Sequence, residues 1–105
     1  HKEYRRQRQM CIRDSLNTMT KSMARNLGPI RVNAICPGFI QGDWLRNGMG
    51  DDLYNAALEN LTNNTPLKLT VTPEQVAEGI YSFIDINTVV TGETMLMDGG
   101  HHLIT

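Results

Sequence analysis

The chain has 105 residues, enough for one small domain. Hydrophobic content of 40% and charge content of 20% fit a globular protein, and a net charge of −1 excludes general attraction to nucleic acid or anionic membranes. No apolar run approaches the roughly 20 residues of a membrane helix, and the basic start is followed by no apolar signal stretch.

Residues 1–15 carry Lys2, Arg5, Arg6, Arg8 and Arg13 with little to bury. The expectation is a basic leader, disordered or helical and solvated. A nucleic-acid arm is the lesser alternative, since its only aromatic is Tyr4. The composition breaks near Ser15. Leu16, Met19, Met23 and Leu27 then recur at helical spacing, with Lys21 and Arg25 facing water. Gly28-Pro29 stops that helix. "IRVNAIC", Ile30–Cys36, reads as a strand covered on both faces, ended by Pro37-Gly38. Residues 39–72 are rich in Gly, Asn and Asp, hold one expected helix from Asp51 to about Asn63, and read as a lid. Thr72-Pro73-Glu74-Gln75 is a helix start with a reciprocal capping pattern. Val76, Ala77, Ile80, Phe83 and Ile84 follow as a buried face. Thr94–Met97 reads as a second strand, ended by Asp98-Gly99-Gly100.

Strand, helix, strand with a crossover implies a parallel pair. Two strands do not make a stable parallel sheet alone, and both strands and the first helix need partners that this sequence does not supply. The expected fold class is therefore α/β, the C-terminal part of a doubly wound parallel sheet, incomplete, with residues 16–105 one portion of a single domain. Cys11 and Cys36 lie in unlike contexts and read as reduced thiols of a cytoplasmic protein. His101-His102 lacks carboxylates or thiols at ligand spacing, so no metal is expected.

"LNTMTKSMARNLGPIRVNAICPGFI", "TPEQVAEGIYSFI" and "VTGETMLMDGGHHL", in that order, resemble the C-terminal half of the short-chain dehydrogenase/reductase family. Within it the chain is similar to 3-oxoacyl carrier-protein reductases and sugar or alcohol dehydrogenases. The resemblance implies a Rossmann-type sheet of which these are the last two strands. It also implies NAD or NADP as cofactor, a small carbonyl or alcohol substrate, and a homo-oligomeric parent, commonly a tetramer. Carried over, Pro37, Gly38, Phe39 and Ile40 contact the nicotinamide and its carboxamide, and a glycine without Cβ lets a flat ring approach. Gly42 stands where the family often has a threonine, and offers backbone only. Trp44, Leu45, Met49, Leu53 and Tyr54 would wall the substrate pocket.

The family's Tyr-x-x-x-Lys pair falls in register on Gln9 and Arg13. Glutamine does not titrate and arginine keeps its proton. A tyrosine of pKa about 10 needs a neighbouring cation to shuttle protons near neutrality, and neither half of that device is present. Tyr4-x-x-x-Arg8 has the spacing five residues too early. "MCIRDS" is what a sequencing-library transposon end encodes, so residues up to about Ser15 are expected to be adapter-derived. No glycine-rich phosphate loop occurs. The expectation is an inactive piece of an NAD(P)-dependent oxidoreductase. The alternative is a non-catalytic Rossmann-like interaction domain.

Overall fold

The computed structural model describes the backbone of residues 2–104 and the side chains of residues 13–104. The elements are α1 (Lys2–Leu27), β1 (Ala34–Pro37), α2 (Asp43–Met49), α3 (Asp51–Asn64), α4 (Pro73–Tyr81) and β2 (Thr94–Met97). A π-helical turn, Ser82–Ile86, continues α4, and a 3-10 turn covers His101–Leu103. Strands β1 and β2 form one two-stranded sheet. The Ala34 N–H donates to the Glu93 carbonyl at 2.8 Å and the Gly38 N–H to the Met97 carbonyl at 2.9 Å. Both pairings advance together along the two strands, which makes the sheet parallel.

Two compact units divide the chain: His1–Cys36 with Tyr81–Met95, and Pro37–Ile80 with Leu96–Thr105. In the first, α1 runs unbroken through the composition change at Ser15, a course open to a segment rich in Lys, Arg and Gln, all good helix formers. β1 starts at Ala34, four residues later than the expected strand at Ile30. Residues 31–33 bond largely through side chains. The Arg31 guanidinium donates to the carbonyls of Phe83, Ile84 (2.9 Å) and Asn87 (3.1 Å). The Val32 N–H donates to Thr91 Oγ1 at 3.0 Å, Asn33 Nδ2 to the Val90 carbonyl at 3.0 Å, and the Glu93 N–H to Asn33 Oδ1 at 3.0 Å.

The second unit contains the region expected to be a lid with one helix; it holds two, α2 and α3, split at Gly50. Gly48 inside α2 lowers its helix propensity and hid it from the sequence pattern. Beyond Phe39 the chain makes a parallel bridge, Ile40 with Val71. The capping pattern forms as expected: Thr72 Oγ1 accepts from the Gln75 N–H at 3.1 Å and Gln75 Oε1 from the Thr72 N–H at 2.9 Å.

Burial departs from the expected core. Among the described residues only Tyr54 and Val71 are buried hydrophobics. On α1, Met19, Met23 and Leu27 are exposed, and of the face expected to be buried on and after α4, Ala77, Ile80 and Ile84 are exposed. A doubly wound sheet buries such stripes between layers. Two strands of four residues do not cover them.

Candidate active site

The candidate residues at the carboxyl end of β1 lie in the second unit. Pro37 and Gly38 are exposed, Phe39 and Ile40 half-buried. The absent Cβ of Gly38 is required by packing: a Cβ there would lie 2.8 Å from the Asp98 Cβ and 3.1 Å from its Cα. The side of Gly38 on which a Cβ would stand thus faces Asp98. That carboxylate is tied locally. It accepts from the Gly100 N–H at 3.0 Å, from the His102 N–H at 2.9 Å, and contacts His102 Nδ1 at 2.9 Å. Burial pushes the Asp98 pKa up, but the His102 ring and amide, the Gly100 amide and the His102 charge outweigh it and hold it below the ordinary value. Asp98 therefore fixes the turn after β2, as its place before two glycines suggested.

At Ile40 the geometry has chemical content. The Val71 N–H donates to the Phe39 carbonyl at 3.1 Å and the Gln41 N–H to the Val71 carbonyl at 2.7 Å. In a parallel bridge of this kind the middle residue keeps its own N–H and C=O on the opposite edge. Among the described residues neither group of Ile40 has a hydrogen-bond partner. One donor and one acceptor, side by side and pointing the same way, match a primary carboxamide, which presents one acceptor and two donors. Gln41 Nε2 donates to Thr70 Oγ1 at 2.6 Å, a second tie across the same bridge.

The lid residues separate into two groups. Trp44 and Leu53 are exposed, at 87% and 60%, while Leu45 and Met49 are half-buried. Tyr54 is 2% exposed and lines no open surface. Its ring sits 5.5 Å from that of Phe39, its hydroxyl accepts the Gly42 N–H at 3.1 Å, and the Arg46 guanidinium lies 4.9 Å from its ring centroid. Sequence spacing gave no sign of this cluster.

In the first unit, Arg13 is half-buried on α1. The side chain of Gln9 lies outside the described residues. An open depression of about 530 Å³ on α1 is lined by Asp14, Ser15, Thr18, Met19, Ser22 and Met23. Its single titratable group, Asp14, makes it no catalytic cluster. Among the described residues no group of three metal-ligating side chains occurs, and no helix is long and apolar enough to cross a membrane.

The family model described as enoyl-(acyl carrier protein) reductase matches residues 7–102. The chain belongs to the short-chain dehydrogenase/reductase family. It is 37% identical over 93 residues to the NADH-dependent enoyl-acyl-carrier-protein reductase FabI of Bacillus cereus, covering 86% of this chain and 35% of that one. It is 38% identical over 85 residues to the 3-oxoacyl-acyl-carrier-protein reductase FabG of Thermotoga maritima, covering 78% and 32%. Among solved structures, a small-chain dehydrogenase in complex with NADPH superposes with a TM-score of 0.78 at 31% identity, over 89% of this chain and 42% of that one. The chain thus spans about a third of the length of the curated relatives it matches. The family match begins at residue 7, ahead of the composition break. The short-chain dehydrogenase/reductase fold accounts for the exposed stripes, since its sheet holds further strands and helix layers.

Proposed function

We propose that this chain is the nicotinamide-orienting part of an NAD(P)-dependent oxidoreductase acting on a small carbonyl or alcohol substrate. The free donor and acceptor of Ile40 carry this reading. A nicotinamide dinucleotide, when bound, supplies the hydride exchange itself. The chain's own work is positional. Ile40 holds the carboxamide by its main chain and so fixes which ring face is presented. Pro37 and Phe39 flank that edge. Gly38 lets the end of β1 seat against Asp98, which sets where the edge stands. Trp44, Leu45, Met49 and Leu53 of the lid, residues 39–72, form the substrate side. Ligands of open α/β sheets lie beyond the carboxyl ends of the strands, where these residues are.

Proton transfer is the step this sequence does not support. Its motif register holds Gln9 and Arg13, so the chain as written turns over no ketone or alcohol. Residues 1–15 are, in this reading, a leader foreign to the catalytic domain, and residues 16–105 the native portion. A net charge of −1 supports a small-molecule partner over nucleic acid. The free Cys36 thiol supports a reducing, cytoplasmic setting. A homo-oligomeric parent, commonly a tetramer, follows from the family resemblance alone.

A graft tests the reading. Residues 16–105 replace the matching segment of the Thermotoga maritima reductase, which keeps its own upstream part. The expected result is a folded chimera with dinucleotide-dependent carbonyl reduction. A folded chimera that fails to bind either dinucleotide contradicts it, and favours the non-catalytic interaction domain.

A further inference from the structure

We propose that His102 is a positioning residue, which acts through Asp98 to hold the main-chain edge of Ile40 where a carboxamide meets it. The edge lies between two chain segments, and the turn after β2 touches both. On one side, the Asp98 Cβ crowds the place where Gly38 lacks its own, and the Gly38 N–H donates to the Met97 carbonyl at 2.9 Å. Gly38 precedes Ile40 by two residues. On the other side, a Cβ at Gly99 would lie 3.1 Å from Leu69 Cδ1 and one at Gly100 would lie 2.9 Å from Pro66 Cγ, so two glycines let the turn seat on residues 66–69. The Leu67 N–H donates to the Gly99 carbonyl at 3.0 Å. Leu69 precedes Val71 by two residues, and Val71 is the residue that bridges Ile40. The turn therefore braces both sides of that bridge, and all of these residues belong to the second unit. His102 closes the turn. Its Nδ1 lies 2.9 Å from each Asp98 carboxylate oxygen, and its N–H donates to Oδ2 at 2.9 Å. The Gly100 N–H donates to Oδ1 at 3.0 Å. A carboxylate only accepts, so the imidazole Nδ1 carries the hydrogen between them. Among the described residues, that imidazole is the one side-chain donor to Asp98, and the Asp98 side chain is 12% exposed, which leaves water little room to take its place. The two amides come with any residue at positions 100 and 102, so the identity of residue 102 governs the ring contact alone. What the edge binds rests on the oxidoreductase reading; the brace itself does not.

Asparagine and glutamine separate this role from plain packing. Asparagine Nδ2 is bonded to Cγ, as histidine Nδ1 is, so His102→Asn keeps a donor within reach of the carboxylate. His102→Gln carries its amide one carbon farther and loses that register. In the full 105-residue chain, without dinucleotide, His102→Gln should move the Gly38 and Ile40 amide resonances, and His102→Asn should leave them near their native positions. In the chimera that carries residues 16–105, His102→Gln should raise the KM for the dinucleotide about fivefold, the worth of one net hydrogen bond, and leave the KM for the carbonyl substrate unchanged. His102→Asn should restore the native value. A loss of stability alone would lower the folded fraction and so kcat, with both KM values unchanged. That outcome overturns the proposal. So do unmoved Gly38 and Ile40 resonances in His102→Gln, or equal shifts in the two variants. A native chimera that binds no dinucleotide contradicts the oxidoreductase reading instead, and the resonances of the full chain still decide whether His102 braces the edge.

Discussion

Replacing Gly38 with alanine isolates the contact that seats the end of β1. The backbone of Gly38 is not in the left-handed region, so alanine meets no φ penalty there. At an open site of that kind, losing glycine's freedom in the unfolded chain would stabilise the protein by about 0.4–1 kcal/mol. Here the new Cβ would lie 2.8 Å from the Asp98 Cβ, against a normal carbon–carbon contact of about 3.5–4.0 Å. A gap of roughly 0.7 Å must open. Asp98 is held by the Gly100 and His102 amides, so the strain falls on the Gly38–Met97 hydrogen bond of 2.9 Å. Overpacking costs about 1–3 kcal/mol and a weakened backbone bond about 1 more, so after the entropic offset the net loss is about 1–3.5 kcal/mol. With an m-value of about 1.5 kcal/mol/M, the urea midpoint falls by roughly 0.7–2.4 M. Circular dichroism follows the transition. Repeating Gly38→Ala in an Asp98→Gly background removes the opposing Cβ but leaves the Cα of residue 98 at 3.1 Å, so the cost should shrink without vanishing. A stabilising Gly38→Ala in the native background, or an equal cost in both backgrounds, refutes the packing argument.

The Asp98 carboxyl titrates below its ordinary value of 3.8 in the folded state. Its contribution is therefore fully present above the unfolded carboxylate pKa and is lost as pH falls through the lower folded value. The urea midpoint should drop more steeply below about pH 4 in the native chain than in Asp98→Asn, a comparison read from midpoints at pH 5 and pH 3. Arg31→Lys keeps the charge but loses the planar fork that reaches the carbonyls of Phe83, Ile84 and Asn87. It should cost about 2 kcal/mol and speed amide exchange through residues 83–93; an unchanged urea midpoint would contradict the assigned role. A graft joined at residue 7, which carries Gln9 and Arg13 into the chimera, should be inactive, and Gln9→Tyr with Arg13→Lys should restore turnover. Full activity of the unmodified graft would show that the register of the motif is wrong.

Much of the fold was legible because its signals are local. Thr72 and Gln75 bond each other as their spacing requires, and Thr94–Met97 is bounded by residues that punctuate a strand. Other features depend on partners distant in sequence. The start of β1 moved to Ala34 because Arg31 and Asn33 reach more than 50 residues along the chain to bond backbone groups. The apolar stripe of Met19, Met23 and Leu27 predicted burial, but periodicity names a face and not the layer that covers it. At the candidate site, Pro37–Ile40 were marked by resemblance. The free edge of Ile40 came only from its bridge to Val71, and Tyr54 joined Phe39, Gly42 and Arg46 only once α3 had folded back. The packing reason for Gly38 was not legible, since the atom that would crowd a Cβ there belongs to Asp98, 60 residues on.

Amide chemical shifts of the isotope-labelled chimera that carries residues 16–105, recorded during titration with reduced dinucleotide and separately with adenosine diphosphate, test the Ile40 assignment most directly. The dinucleotide should move the Ile40 amide resonance, with smaller effects at Gly38 and Phe39, while adenosine diphosphate should leave all three in place. Shifts confined to other residues, or an identical response to both compounds, would contradict it.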